Sequence, residues 1–265
     1  MEQAPAQAVG RPSGRYWEID AARTVAIAMM VAYHTVYDLH FLSPGLGVDP
    51  FGPPWRPLQV ATGSSFLAIA GLSFWLSSAR ARAVGLRGVA LWRKHARRAA
   101  ELIAWGVAIS VVTLVALGGD GYVRFGILHL IGAAILLGPL VARLGVWNAA
   151  LSAAAIAAGL VLKGECSEGA WLLVLGVRPE GGAGVDYYPL LPWLGPFLAG
   201  LALGALLYPG GTRGAWGRRL PVPRGSLPVA APGRHSLAVY LVHQPVLIGL
   251  LAAGLALAGA EVGWR

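Results

Sequence analysis

The sequence predicts an all-α polytopic membrane protein, a bundle of about seven transmembrane helices with the N-terminus cytoplasmic. Apolar residues make up 56% of the 265 and charged residues 12%, against about 25% charged in ordinary soluble chains. Mean hydropathy is +0.62. Apolar runs of ~20 residues, enough to cross a bilayer, recur along the chain with short connections.

Taken in order, those runs place helices near 18–41, 58–79, 96–117, 122–142, 147–163, 189–208 and 235–259. The fifth, WNAALSAAAIAAGLVLK, is short, and its Ala and Gly suit close helix packing. The tail, residues 1–16, lacks the apolar core of a secretory signal and is expected to be disordered, leaving 17–260 as one transmembrane domain. With the N-terminus inside, the cytoplasmic segments take Arg11, Arg15, the run from Arg80 to Arg98, Arg143, and Arg213 through Arg234. The outer segments take only Arg56, Arg124, Lys163, Arg178 and Arg265. That asymmetry satisfies the positive-inside rule. It also accounts for most of the +9 charge, so no nucleic-acid partner is implied; the partner that composition does imply is the lipid bilayer. A lone Cys166 rules out an internal disulfide and a cysteine-based metal cluster, and no metal is expected.

The first helix, DAARTVAIAMMVAYHTVYDLH, carries Asp20, Arg23, His34, Asp38 and His40. A charge at the centre of a spanning helix costs roughly 2.5–3.5 kcal/mol on insertion scales. Arg23 and His34 are eleven positions apart, about three turns plus roughly 20°, so they share a face about 16 Å apart. Asp38 and Asp20 join that side at helical spacing. The stripe can face the bundle interior. Asp20 and Arg23 read either as an ion pair anchoring the helix end or as part of a site. Asp38, one turn from His34, could hold its tautomer as a general base requires; the competing reading is a core histidine bonded across helices. His40 lies off the stripe and is expected to face a loop.

Other helices offer partners. His129, in FGILHLIG, lies at a depth matching His34, so the two imidazoles could face one site. Asp186 and Tyr187, before the sixth helix, sit at the outer interface, and Asp186 could hold a hydroxyl or amine near the mouth of a site. The last helix carries Ser236, Tyr240, His243 and Gln244 before Pro245. Glu101 reads as a structural partner of Arg97 or Arg98.

The blocks EIDAARTVAIAMMVAYHTVYDL, FGILHLIG, DYYPLLPWLGPFLAGLALG and GRHSLAVYLVHQPVL resemble, in order and from about residue 15 to 250, the membrane catalytic domain of the heparan-α-glucosaminide N-acetyltransferase-like family of prokaryotes. The Arg23 to His34 spacing also resembles the first-helix motif of integral-membrane O-acyltransferases, with Thr24 standing where those groups usually have Gly. The resemblance implies transfer of an acetyl (acyl) group from cytoplasmic acyl-CoA to an amine or hydroxyl of a sugar or glycan across the membrane of the cell. On that reading His34 is the base, Asp38 orients it and His129 polarises the thioester carbonyl or binds acceptor. Arg23, with Asp20 and His243, belongs to the acetyl-CoA site, and Asp186 and Tyr187 to the acceptor. A homo-oligomer stays open. The runner-up is a proton-coupled transporter or a lipid or glycan carrier, since intramembrane His and Asp also mark proton relays. A retinal-type photoreceptor is excluded because the last helix has no lysine.

Overall fold

The computed structural model describes residues 15–167, 169–180, 182–218, 226–260 and 262–263. The expected tail over 1–16 thus lies almost wholly outside the described residues. Every regular element described is helical, apart from a single bridge between Cys166 and Arg178.

Seven long helices are α1 (Trp17–Leu42), α2 (Trp55–Ala83), α3 (Gly88–Gly121), α4 (Ile127–Val141), α5 (Asn148–Val161), α6 (Leu190–Leu207) and α9 (Ser236–Leu257), with two short ones, α7 (Ala215–Arg218) and α8 (Ser226–Arg234), between α6 and α9. By length and hydropathy six segments can cross a membrane, because Ile127–Val161 counts as one. That segment is folded in two. Gly145 has φ +55 and ψ −123, a left-handed turn that a side chain disfavours, and the Asn148 amide donates to the carbonyls of Val141 and Gly145. The contacts on either side show the reversal. An added Cβ at Gly132 or Gly106 would meet Ile103 or His129, so α4 runs antiparallel to α3; at Gly159 or Gly195 it would meet Pro192 or Ile156, so α5 runs antiparallel to α6. The described residues therefore make seven passes through the bundle.

The helices also start and stop beyond their apolar runs. α3 begins near residue 88 rather than 96, because the basic turn around Arg93 and Arg97 remains helical while leaving the apolar band. α4 begins at Ile127 rather than 122, since Gly126 and Tyr122 are extended. α8 lies in the stretch between the last two apolar runs. It ends at Arg234, one residue before α9.

The centre is the α2–α6 pair, which runs parallel with backbones almost touching. A Cβ on Gly71 would lie 2.0 Å from the Phe197 carbonyl, and one on Gly200 would lie 1.9 Å from that of Ala68. Small residues at such contacts let dispersion forces act where no hydrophobic drive separates helix from lipid. Leu67, Phe74, Leu130, Phe197 and Leu201 fill the core around the pair. By contrast α9 has no buried residue. Its principal neighbours are α1 and α8, and Val242, Val246 and Leu250 face outward, as a lipid-facing helix requires.

Candidate functional site

At the end of the bundle rich in arginine, the start of α1 is clamped by its own charges. Asp20 is 2% exposed. Its Oδ1 accepts from Arg23 Nη1 at 2.6 Å, and Arg234 Nε lies 3.8 Å from Oδ2. The second Arg23 nitrogen donates to Ser73 Oγ on α2 at 2.6 Å, and Ser73 donates to the Ile69 carbonyl. Thr24, at the position where the resemblance leads one to look for Gly, accepts from the Gly233 N–H at 3.0 Å. That bond pins α8 to α1. A Cβ on Gly233 would lie 1.9 Å from the Asp20 carbonyl, so the approach needs glycine. Outside the spans, hydrogen bonds from Arg213 to Glu18 at 2.6 and 2.8 Å hold the Arg213 guanidinium above its ordinary value.

A cavity of about 870 Å³ opens beside this clamp. Arg15, Arg23, Lys94, Arg98, Arg234 and His235 surround its mouth. Phe66, Ile69, Leu102, Ile131 and Ile135 line the interior, and Ile127 and Tyr240 mark the far end. Near the mouth His95 is buried, its Nε2 2.9 Å from Ser78 Oγ and its ring 4.3 Å from that of Phe74.

Behind the far end sits Asp186. It is the one described non-glycine residue with positive φ, at +49. Backbone bonds from Val185 to Gly121 and from Tyr188 to Phe125 lay its loop against the start of α4. The Tyr240 hydroxyl donates to Asp186 Oδ2 at 3.5 Å, and a Cβ on Gly126 would come within 2.9 Å of that oxygen. Burial pushes the carboxyl up to about 7, opposed by the Ile127 N–H and the Tyr240 hydroxyl. Strain of this kind, at a site that over-determines it, commonly accompanies function. One turn into α4, His129 Nδ1 accepts from the Gly126 N–H at 3.2 Å, and its ring stacks on Phe125 with centroids 5.5 Å apart. An Nδ1 that accepts leaves the proton on Nε2.

The third group lies between α1 and α9. His34 Nδ1 is 2.9 Å from the Met30 carbonyl, and His243 Nδ1 is 2.6 Å from that of Tyr240. A carbonyl can only accept, so both rings carry their proton on Nδ1 and present a bare Nε2. Their centroids are 4.9 Å apart at 70°. Asp38 is 0% exposed. Its Oδ1 accepts from Gln244 Nε2 at 2.6 Å, while Asp38 Oδ2, Gln244 Oε1, His243 Nε2 and the Tyr33 hydroxyl are buried with no hydrogen-bond partner among the described residues.

The expected set is therefore brought together in part, with different pairings. Asp38 does not orient His34: helical side chains lean toward the N-terminus, so His34 bonds the carbonyl one turn back, and Asp38 is taken by Gln244 from α9. His34 meets His243 rather than His129, which is held at the start of α4. His243 belongs to this pair rather than to the lining of the cavity mouth. Arg23 lines the cavity, while Asp20 stands behind it as its counter-ion. Tyr187 turns away, its hydroxyl donating to the Leu173 carbonyl at 2.6 Å, and Asp186 meets the cavity's end only through the Tyr240 hydroxyl. His40 faces the Val48 carbonyl of the following loop at 2.6 Å. Glu101 pairs with Arg98. Sequence reasoning left Tyr240 without a role and missed Ser73 and the His95–Ser78 contact. His95 is embedded in a run of basic residues that topology alone explained, and its depth in the bundle leaves no periodic mark.

Among the described residues no group of three or more His, Cys, Asp or Glu side chains is placed to hold a metal ion. No curated protein and no solved structure matches the chain. The family model of the heparan-alpha-glucosaminide N-acetyltransferase catalytic domain matches residues 15–245. That match takes in every group just described, from the Asp20–Arg23 clamp to the His34–His243 pair, and the chain belongs to this family of membrane acetyltransferases.

Proposed function

We propose that the protein transfers an acetyl group from acetyl-CoA, entering at the arginine-rich mouth, to an amine or hydroxyl of a sugar or glycan presented at the opposite face. The observation that carries this reading is the cavity itself, which has cationic side chains around its mouth and apolar walls leading to Tyr240 and Ile127. Acetyl-CoA has matching parts. Its phosphates suit the guanidinium and ammonium groups, and its extended arm and thioester suit an apolar channel. The positive-inside rule supports a mouth that opens to the cytoplasmic side, where acyl-CoA is found.

In the reaction, the bare Nε2 of His34 takes the proton of the acceptor amine or hydroxyl. The acceptor nitrogen or oxygen bonds the acetyl carbon, the carbon–sulfur bond breaks, and the proton ends on the CoA sulfur. His129, with its proton on Nε2, can only donate there, which suits polarising the thioester carbonyl. Asp186, its carboxyl pushed up to about 7 by burial and bonded by the Tyr240 hydroxyl, serves in this reading to bind the acceptor's hydroxyl groups.

Thermal unfolding of the purified protein with and without acetyl-CoA tests the donor half. Specific stabilisation is expected, and Lys94→Ala with Arg98→Ala should weaken it roughly three- to tenfold, the effect shrinking as salt rises. Transfer of radiolabelled acetyl to a panel of amino sugars and glycans tests the acceptor half. No stabilisation by acetyl-CoA at any accessible concentration would remove the reading.

A further inference from the structure

The His34–His243 pair has a feature that the proposed chemistry does not require. If one imidazole were the whole base, the second could be any packing residue; instead it is a histidine set in the same tautomer by the same device, a carbonyl of its own helix. With both Nδ1 protons engaged, the neutral pair offers two lone pairs and no proton to join them. This accounts for His243 Nε2 being buried without a partner. A single added proton changes that. It makes one ring a donor and leaves the other an acceptor, with the rings edge-on at 4.9 Å.

We propose that His243 is the positioning and proton-sharing partner of His34, so that the two imidazoles act together as a base that holds one proton between them. The role rests on the acetyltransferase reading above for its use in catalysis, though not for its existence. The proton leaves the acceptor's N–H or O–H for His34 Nε2 and is shared with His243. It passes to the CoA sulfur as the carbon–sulfur bond breaks, and both rings return to neutral. The groups around the pair fit this. On α1, Tyr33 and Tyr37 lie with ring centroids 5.6 and 6.4 Å from His34. Asp38 is tied by one oxygen to Gln244 of α9, and Tyr240 of α9 lies 5.6 Å from His243. Arg56 of α2 acts electrostatically on Tyr33, and Asp186 acts on both Tyr33 and Tyr37. The carboxylate expected to assist His34 thus turns one oxygen to Gln244, and the ring that faces His34 is a second imidazole.

Nitrogen NMR of the full-length protein in nanodiscs, labelled at its 6 histidines and assigned with single variants, reads the pair directly. Coupled groups titrate in macroscopic steps that belong to the pair. His34 is expected to show two steps in the wild type and one in His243→Gln. An identical His34 curve in both proteins, with both equally folded, overturns the proposal. Kinetics separate sharing from mere structure. His243→Asn retains a donor toward the Tyr240 carbonyl but lacks Nε2, whereas His243→Gln changes both. Both variants are expected to lower kcat by at least about tenfold with the KM for acetyl-CoA unchanged, and to move the acid limb of the kcat profile. Full rescue by His243→Asn shows that only the helix bond mattered and overturns proton sharing. If the wild type transfers no acetyl group, the acetyltransferase reading falls, and the NMR titration still decides the pair.

Discussion

At one end of α1, Asp20 Oδ1 pairs with Arg23, Arg23 also donates to Ser73 of α2, and Asp20 Oδ2, without a hydrogen bond among the described residues, has the Arg234 guanidinium of α8 3.8 Å away. Half a helix further on, His34 and Asp38 stand among buried acceptors that nothing among the described residues satisfies. Both clusters sit in a membrane, where an unpaired polar group is costly. The first is closed in charge, its carboxylate balanced by two guanidinium groups, and those charges hold α1, α2 and α8 together. The second has been left open, and open acceptors in an apolar setting are what a substrate with hydroxyl or amine protons could fill.

This contrast sorts the consequences of mutation. Arg23→Met removes one partner of a buried pair and leaves Asp20 facing only Arg234. Such a break costs about 3–5 kcal/mol when fully buried; with part of Arg23 exposed to the cavity, the loss in reversible unfolding in bilayers should fall near the lower figure. Gly200→Ala forces the α2 and α6 backbones apart at their closest contact and should cost about 1–3 kcal/mol in the same assay. Asp38→Asn keeps an oxygen for Gln244 and should change stability by less than about 1 kcal/mol. A loss as large as that of Arg23→Met would erase the distinction between closed and open clusters. Asp186→Asn should act through pH alone. Above the ordinary aspartate value the unfolded chain has released its proton while the folded one keeps it until about pH 7. Wild-type stability therefore falls as pH rises through that window, and the full contribution is present below it. The Asn variant should lose this slope, as unfolding curves taken from pH 4 to 8 would reveal.

The architecture was legible because bilayer thickness fixes helix length and the arginines mark one side. The doubling of Ile127–Val161 was readable too, since a 35-residue apolar segment exceeds the ~20 that one crossing needs. On α1, helical periodicity correctly put Asp20 and Arg23 within reach of each other. The pairing of His34 with His243 was not legible, because 209 positions of chain separate them and no periodic pattern links α1 to α9. The partner of Asp38 was not legible for a related reason. Spacing of four residues places two side chains on one face, but Gln244 from another helix competes for the carboxylate, and sequence spacing says nothing about competitors. α8 went unseen because Pro and Gly in SLPVAAPGR obscure a helix that packing against α1 stabilises.

Acetyl transfer by His34→Ala separates the open cluster from the closed one most directly. The purified variant in lipid nanodiscs should unfold at the wild-type temperature and still be stabilised by acetyl-CoA, since His34 lies away from the cavity mouth. Its single-turnover transfer of labelled acetyl to the acceptor that serves the wild type should fall by about 10²–10⁴-fold, the usual worth of a general base. Transfer at the wild-type rate, with donor binding and folding both intact, would contradict the assignment of the chemistry to the α1–α9 pair.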